Sequence, residues 1–203
     1  MKLKWKLTIL ITLILGGTFI FSALLGSIRV QKSSKKIIDA LSIELMEAKA
    51  NEVSGWLNQR IRELHTISNT PTVKSMEEEA LKAYVNALSR DMDKYYGNSY
   101  GTFGINDFSG LEYINEELTI DVSDRAYFRR MKESDEVYHF SDPVFSKTDG
   151  SRITVLCYSV YNEKEEKVGF VAASLSLEKL TEIAQGGSIY GGKSIIINAE
   201  GTF

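Results

Sequence analysis

Cysteine, histidine and proline are all scarce in this chain, and each scarcity closes off a class of protein. Cys157 is the only cysteine in 203 residues, so an internal disulfide is excluded. It falls in an apolar strand pattern, where a thiol serves as a small hydrophobe. The two histidines, His65 and His139, stand far apart without ligand spacing, so no metal motif is present. The only prolines are Pro71 and Pro143, which leaves the first 70 residues without a helix breaker. Phosphate-cradling loops are missing too. Gly186-Gly187-Ser188 and Gly191-Gly192-Lys193 flank Tyr190 without the spacing of a P-loop. No serine or cysteine adjoins a histidine in a nucleophile motif. Glu77-Glu78-Glu79 and the run Glu163 to Lys167 are charge clusters of the kind solvated faces carry. The sequence thus offers no catalytic constellation, no metal set and no cofactor signature.

Charge is absent where it matters most. Residues 7–28 carry no charged side chain and are mostly Leu, Ile, Phe, Thr and Gly. At about 1.5 Å per residue such a helix is long enough to cross the roughly 30 Å hydrocarbon layer of a bilayer. A spanning segment of one chain satisfies its backbone there only as a helix or in a closed barrel. A cleaved signal peptide is the rival reading, because Met1-Lys2-Leu3-Lys4-Trp5-Lys6 supplies a basic start. The apolar run exceeds the roughly 7–15 residues of such a peptide, and Phe21 to Gly26 makes a poor cleavage site. An uncleaved anchor is favoured. Lys2, Lys4 and Lys6 precede the span while Arg29, Lys32, Lys35 and Lys36 follow it, so the positive-inside rule does not choose a side. These 7 cations are unopposed in the first 36 residues, which leaves −10 for the rest of a chain whose formal charge is −3. An acidic body argues against nucleic acid as a partner and against lying flat on anionic lipid.

Beyond the span, Ile38, Leu41, Leu45 and Ala48 recur at helical spacing, as do Val53, Leu57, Ile61 and Leu64. Anchor and stalk can form one continuous helix. Its apolar stripe suits either a dimer seam or a domain core; the core reading is favoured for the later half. Asn69-Thr70-Pro71 ends the helix. Ser75-x-x-Glu78 reads as a capping box for another, with Leu81, Tyr84, Val85, Leu88, Met92 and Tyr95 on its face and Gly97-Asn98 as its stop. The period then changes to strands at Tyr100–Ile105 and Leu111–Ile114, joined by a turn-rich loop. Further strands are expected near Tyr138–Phe145, Arg152–Val160 and Val168–Ser176. The turn Thr148-Asp149-Gly150-Ser151 and the charged loop Asn162–Lys167 separate them. A short helix is expected over Leu177–Gln185 and another strand over Ser194–Asn198. Consecutive strands with short turns mean an antiparallel sheet with long helices segregated to one face, an α+β class. The last residues, Asn198 to Phe203, read as the start of a hairpin, so a piece of a longer chain is expected.

One ordered series of segments goes further. It comprises Asp121-Val122-Ser123-Asp124-Arg125-Ala126-Tyr127-Phe128, Phe140-Ser141-Asp142-Pro143-Val144, Thr148-Asp149-Gly150, Cys157–Tyr161 and Val168–Leu175. Behind an N-terminal span and a long helix, this series resembles the double Cache (dCache) sensor domains of bacterial transmembrane receptors. The resemblance implies a membrane-emergent helix packed against a PAS-like antiparallel sheet, the membrane-distal module of two. It also implies residues 1–6 as a cytoplasmic N-terminus, 7–29 as the transmembrane helix and 30–203 as an extracytoplasmic sensor, with the second module and output lacking. The implied localisation is the cell membrane, the implied partner a small-molecule ligand, and the usual assembly a homodimer. Chemotaxis transducers come first among the implied outputs, with diguanylate cyclases and histidine kinases next. A membrane-anchored structural or interaction protein is the alternative from another class.

In amino-acid-sensing members of that family an R-x-aromatic-aromatic unit similar to Arg125-Ala126-Tyr127-Phe128 grips the ligand carboxylate. A guanidinium suits this role because its planar fork donates two parallel hydrogen bonds and never deprotonates. A surface ion pair of Arg125 with Asp121 or Asp124 is the plain alternative. The positions that carry acids for the ligand ammonium in such members align here with Ser146 and Ser174. Serine brings no charge, so a small anion such as an organic acid is expected instead of an amino acid. Tyr113, Tyr138 and Tyr158 are expected to face the same concavity, Tyr158 among the ligand contacts, and Asp142 to cap a turn beside Pro143.

Overall fold

The computed structural model describes residues 2–96 and 100–185. The chain divides into two units, Met1–Ala48 and Lys49–Phe203. The first is helical, the N-terminal part of α1 (Lys2–Ser68). The apolar side chains of residues 9–28 are exposed, Phe19 at 77%. Among the described residues α1 is the one helix long and apolar enough to cross a membrane.

In the second unit α1 ends at Ser68, and α2 (Pro71–Ser75) begins with proline in its first turn, where a missing N–H costs nothing. The expected capping box does not form. Ser75 lies inside α2 and gives its hydroxyl to Thr72 O (2.8 Å), while α3 (Glu78–Tyr96) starts with Leu81 N bonded to Glu77 O. Met76 takes a left-handed conformation between the two helices, which removes Ser75 from the N-cap position. Leu81 and Val85 are buried on the face that the sequence pattern marks.

Among the described residues seven strands form one antiparallel sheet: β1 (Phe103–Asn106), β2 (Leu111–Tyr113), β3 (Thr119–Asp121), β4 (Tyr138–Phe140), β5 (Val144–Phe145), β6 (Arg152–Tyr161) and β7 (Lys167–Ser176). Their order is β3-β2-β1-β7-β6-β4, with β5 also on β6. The strand expected over Tyr138–Phe145 is interrupted at Ser141-Asp142-Pro143. There Ser141 N bonds Val155 O, and Val155 N donates to Ser141 Oγ. Proline has no N–H to continue the ladder. β3 and the helix α4 (Ala126–Glu133) are additions to the sequence reading; α5 (Leu177–Gln185) falls where expected. The strand expected at Ser194–Asn198, the stop at Gly97-Asn98 and the Met92 and Tyr95 side chains lie outside the description.

Side chains of alternate residues pack two cores. On one face Leu64 and Ile67 of α1, Val73 of α2 and Leu81 and Val85 of α3 meet Phe103, Ile105, Leu156, Val171 and Ala173. On the other, Tyr127, Phe128 and Met131 of α4 meet Val155, Cys157, Phe170 and Ala172. Both faces of β6 and β7 are thus covered, which explains their unbroken apolar runs. Lys167 anchors α4 from below, its ammonium donating to Ser134 O (2.8 Å) and Met131 O at the helix's C-terminal end.

Candidate ligand-binding site

The α4 face of the sheet carries a depression lined by Thr102, Glu112, Ile120, Val122, Arg125, Tyr127, the hairpin residues Val144–Thr148, Ile153, Val155 and Ser174. Its recess measures about 20 Å³, and its volume with the open mouth about 340 Å³. Its lining is mixed, with charged Glu112, Arg125 and Lys147 set among hydroxyl-bearing and apolar side chains.

Arg125 occupies the N-cap of α4 with extended backbone, its N–H bonded to Val122 O (2.9 Å). That conformation directs the guanidinium towards the hairpin, where Nη2 donates to Phe145 O (2.8 Å). Asp124 pairs instead with Lys147 (2.7 Å), whose ammonium also reaches Asp121 O (2.7 Å). These bonds tie the β5–β6 hairpin across the segment between β3 and α4. Lys147 holds the Asp124 carboxyl below the usual carboxylate range, and the Ser123 hydroxyl and N–H do the same for Asp121.

Four of the sequence-predicted site residues, Arg125, Tyr127, Ser146 and Ser174, meet around this depression. Tyr127 is 5% exposed and sets its ring edge-on to Phe170; burial, then the nearby Glu112 charge, pushes its phenol pKa up. Ser174 shares a hydrogen bond with Thr102 (2.8 Å). Ser146 Oγ is engaged by Thr148 Oγ1 (2.7 Å) and by the turn N–H of Thr148.

Two predicted site residues stand elsewhere. Phe128 is buried in the α4 core, its ring 6.3 Å from Phe170, because it follows Tyr127 by one position on a helix. Tyr158 lies on the opposite face of the sheet, since it alternates with Val155 and Cys157 of the depression side. It stacks on Tyr138 (6.5 Å, 13° between planes) and stands 5.5 Å from the His65 ring. Tyr113, too, faces the α1–α3 side, beneath the Lys82 ammonium. The three tyrosines share a face, as expected, but it is the face turned away from the depression. Ser141 Oγ donates to Asp142 O (2.8 Å) in the turn before Pro143.

Glu112 was not anticipated. It sits on β2 opposite Asn106 of β1 and Ile120 of β3, only 5% exposed. Its Oε2 has no hydrogen-bond partner among the described residues. The carboxyl lies over Gly104 of β1: a Cβ there would stand 2.5 Å from both Cγ and Oε1 of Glu112. Burial pushes its pKa up to about 7, against the pull of the Arg125 guanidinium. A glycine inside a strand, marking a close approach, is the sequence signal that could have pointed here.

The molecule is thus an antiparallel sheet cored by α1–α3 on one face and by α4 on the other, with a charged depression on the α4 side. Solved structures share this fold. The ligand-binding domain of the Pseudomonas fluorescens chemoreceptor CtaA, in complex with L-serine, matches with a TM-score of 0.67 at 18% identity, covering 82% of this chain and 71% of that one. The ligand-binding domain of the Campylobacter jejuni chemoreceptor Tlp3, in complex with L-valine, matches at 0.57 and 10% identity, covering 71% and 62%. The extracellular domain of rpHK1S-Z16, assigned to a histidine kinase, matches at 0.57 and 18% identity, covering 68% and 57%. This chain therefore spans less than two thirds of the latter two. No protein-family model and no curated protein sequence matches it. The α+β fold is the one these solved domains share, as the sequence resemblance implies.

Proposed function

We propose that this chain is the ligand-binding sensor of a bacterial transmembrane signalling receptor. In this reading residues 1–6 are cytoplasmic, 7–29 span the membrane and 30–203 form an extracytoplasmic domain. A chemotaxis transducer is the leading output, a membrane-bound diguanylate cyclase or histidine kinase the next, and a homodimer the expected assembly. The ligand is a small carboxylate. The observation that carries this reading is Arg125, a guanidinium presented to the depression by the N-cap of α4 and hydrogen-bonded there to the neutral Phe145 carbonyl. A ligand carboxylate makes a stronger, charge-assisted pair than a neutral carbonyl does. By taking Arg125 from Phe145, it would release one of the bonds that hold the β5–β6 hairpin over the narrow recess. Binding that favours one hairpin position shifts a pre-existing equilibrium, the elementary step of a sensor.

The expectation of a plain organic acid rested on the lack of an acid at Ser146 and Ser174. Glu112, contributed by a different strand, removes that ground. The test is calorimetric titration of the intact protein in lipid nanodiscs with amino acids and organic acids. A small carboxylate is expected to bind, and Arg125→Ala to weaken it roughly 10- to 100-fold. Binding that ignores this substitution would move the site elsewhere.

A further inference from the structure

A buried carboxyl oxygen without a partner needs a reason. Glu112 Oε2 is such an atom, on a side chain that is 5% exposed and borders the depression. The fold goes out of its way to hold it there. Gly104 leaves the space it occupies, since a Cβ there would stand 2.5–2.7 Å from its Cγ, Oε1 and Cδ. Neighbouring elements do not neutralise it by a direct bond. Its surroundings are Arg125 from the start of α4, Tyr127 on α4, Cys157 on β6, Lys147 on the hairpin and the uncharged Gly104, Asn106 and Ile120 on β1 and β3. Of the two cations, Arg125 is bonded to Phe145 O and Lys147 to Asp124 and Asp121 O. An acceptor that is buried, packed over Gly104 and unpaired among the described residues, beside a recess, suits a donor that arrives with a ligand.

We propose that Glu112 is the specificity-determining residue of this site, receiving a protonated nitrogen of the ligand while Arg125 receives its carboxylate. The ligand class is then a small zwitterion, and an acid lacking the nitrogen is rejected because it leaves the Glu112 carboxyl unpaired. This deepens the proposed sensor function and rests on it. The role falls to β2, not to the hairpin or β7 serines.

The two protonation states give the test its sign. A ligand ammonium binds the ionised carboxylate, so affinity falls as pH drops below the range in which Glu112 ionises. A simple anion prefers the protonated form, so its affinity falls as pH rises. The intact protein in lipid nanodiscs is titrated calorimetrically with matched pairs: L-alanine against L-lactate and propionate, and L-aspartate against L-malate and succinate. Measurements are made about one pH unit either side of 7. The amine-bearing member of at least one pair should bind at least about tenfold more tightly than its partners. Its affinity should weaken towards acid by up to about tenfold per pH unit. Glu112→Gln, which keeps the shape but removes the charge and turns one acceptor into a donor, should cut that affinity roughly 10- to 100-fold and flatten its pH profile. Glu112→Asp should preserve the pH dependence, and thermal melting checks that both variants fold. Equal or tighter binding of the deaminated partners, affinity that rises towards acid, or indifference to Glu112→Gln would each overturn the role of Glu112 and leave the sensor standing. Binding of no member of any pair would overturn both.

Discussion

A carboxyl group taken out of water and given no full set of partners exacts a cost that depends on pH, and at the residue scale Glu112 is where this protein carries it. Burial raises its pKa from an ordinary 4.5 to about 7. The native state therefore holds the proton more tightly than the unfolded chain does. The resulting stability is complete below about pH 4.5 and is lost as pH rises through 7. Without ligand, wild type should lose on the order of 3 kcal/mol relative to Glu112→Gln between about pH 4.5 and pH 8. Denaturant unfolding of both proteins at the two ends of that range measures the difference. A gap independent of pH would show that the carboxyl is hydrated in the native state. In the role proposed for Glu112, binding and stability oppose each other at this position.

At the scale of elements, the second half of α1 is joined to the sheet by a polar cluster as well as by its apolar stripe. Arg60 lies 5.2 Å from the Trp56 ring and 4.8 Å from the Tyr100 ring, and pairs with Glu63 at 2.8 Å. The Tyr100 hydroxyl donates to the same Glu63 carboxylate. Burial, then this bond, pushes the phenol pKa up, so Tyr100 stays a donor throughout the physiological range. Next along the chain, Gly101 N bonds Ser174 O and Thr102 bonds the Ser174 hydroxyl at the depression. Tyr100→Phe keeps the ring and removes only the donor, leaving Glu63 short of a partner. A loss of about 1–3 kcal/mol is expected, read as a lower urea midpoint with unchanged slope. The exposed Lys147–Asp124 pair, screened by solvent, should matter far less to stability than to the position of the hairpin.

At the scale of the molecule, an acidic body and an apolar N-terminal helix set the expected location. The apolar side chains of residues 9–28 are exposed in this protein, which water tolerates poorly and a bilayer rewards. The intact protein should remain with membranes through alkaline carbonate extraction, and mass spectrometry of that fraction should find residues 1–28 still attached. A membrane-free form beginning shortly after Gly26 would instead mark the segment as a cleaved leader. The body's fold, shared with chemoreceptor sensor domains at 10–18% identity, is preserved by a pattern of buried faces more than by particular residues.

What could be read from the sequence alone was what neighbours along the chain decide. The uncharged run, the helical spacing of Leu81, Val85 and Leu88, the two long strands and their turns, and α5 all depend on local periodicity or turn chemistry. Arg125, Tyr127, Ser146 and Ser174, singled out through the resemblance, all line the depression. Tertiary structure decided which face of the sheet each side chain serves. Alternation assigns Tyr113, Tyr138 and Tyr158 to one side, but β6 and β7 are buried on both sides, so nothing local says which side holds the depression. The short β3 and α4 carry too few turns or alternations to stand out. Glu112 acquires its meaning only when β1 places Gly104 beneath it and the start of α4 brings Arg125 beside it. A buried, unpaired charge is a property of surroundings assembled from distant segments, and one-dimensional spacing does not contain them.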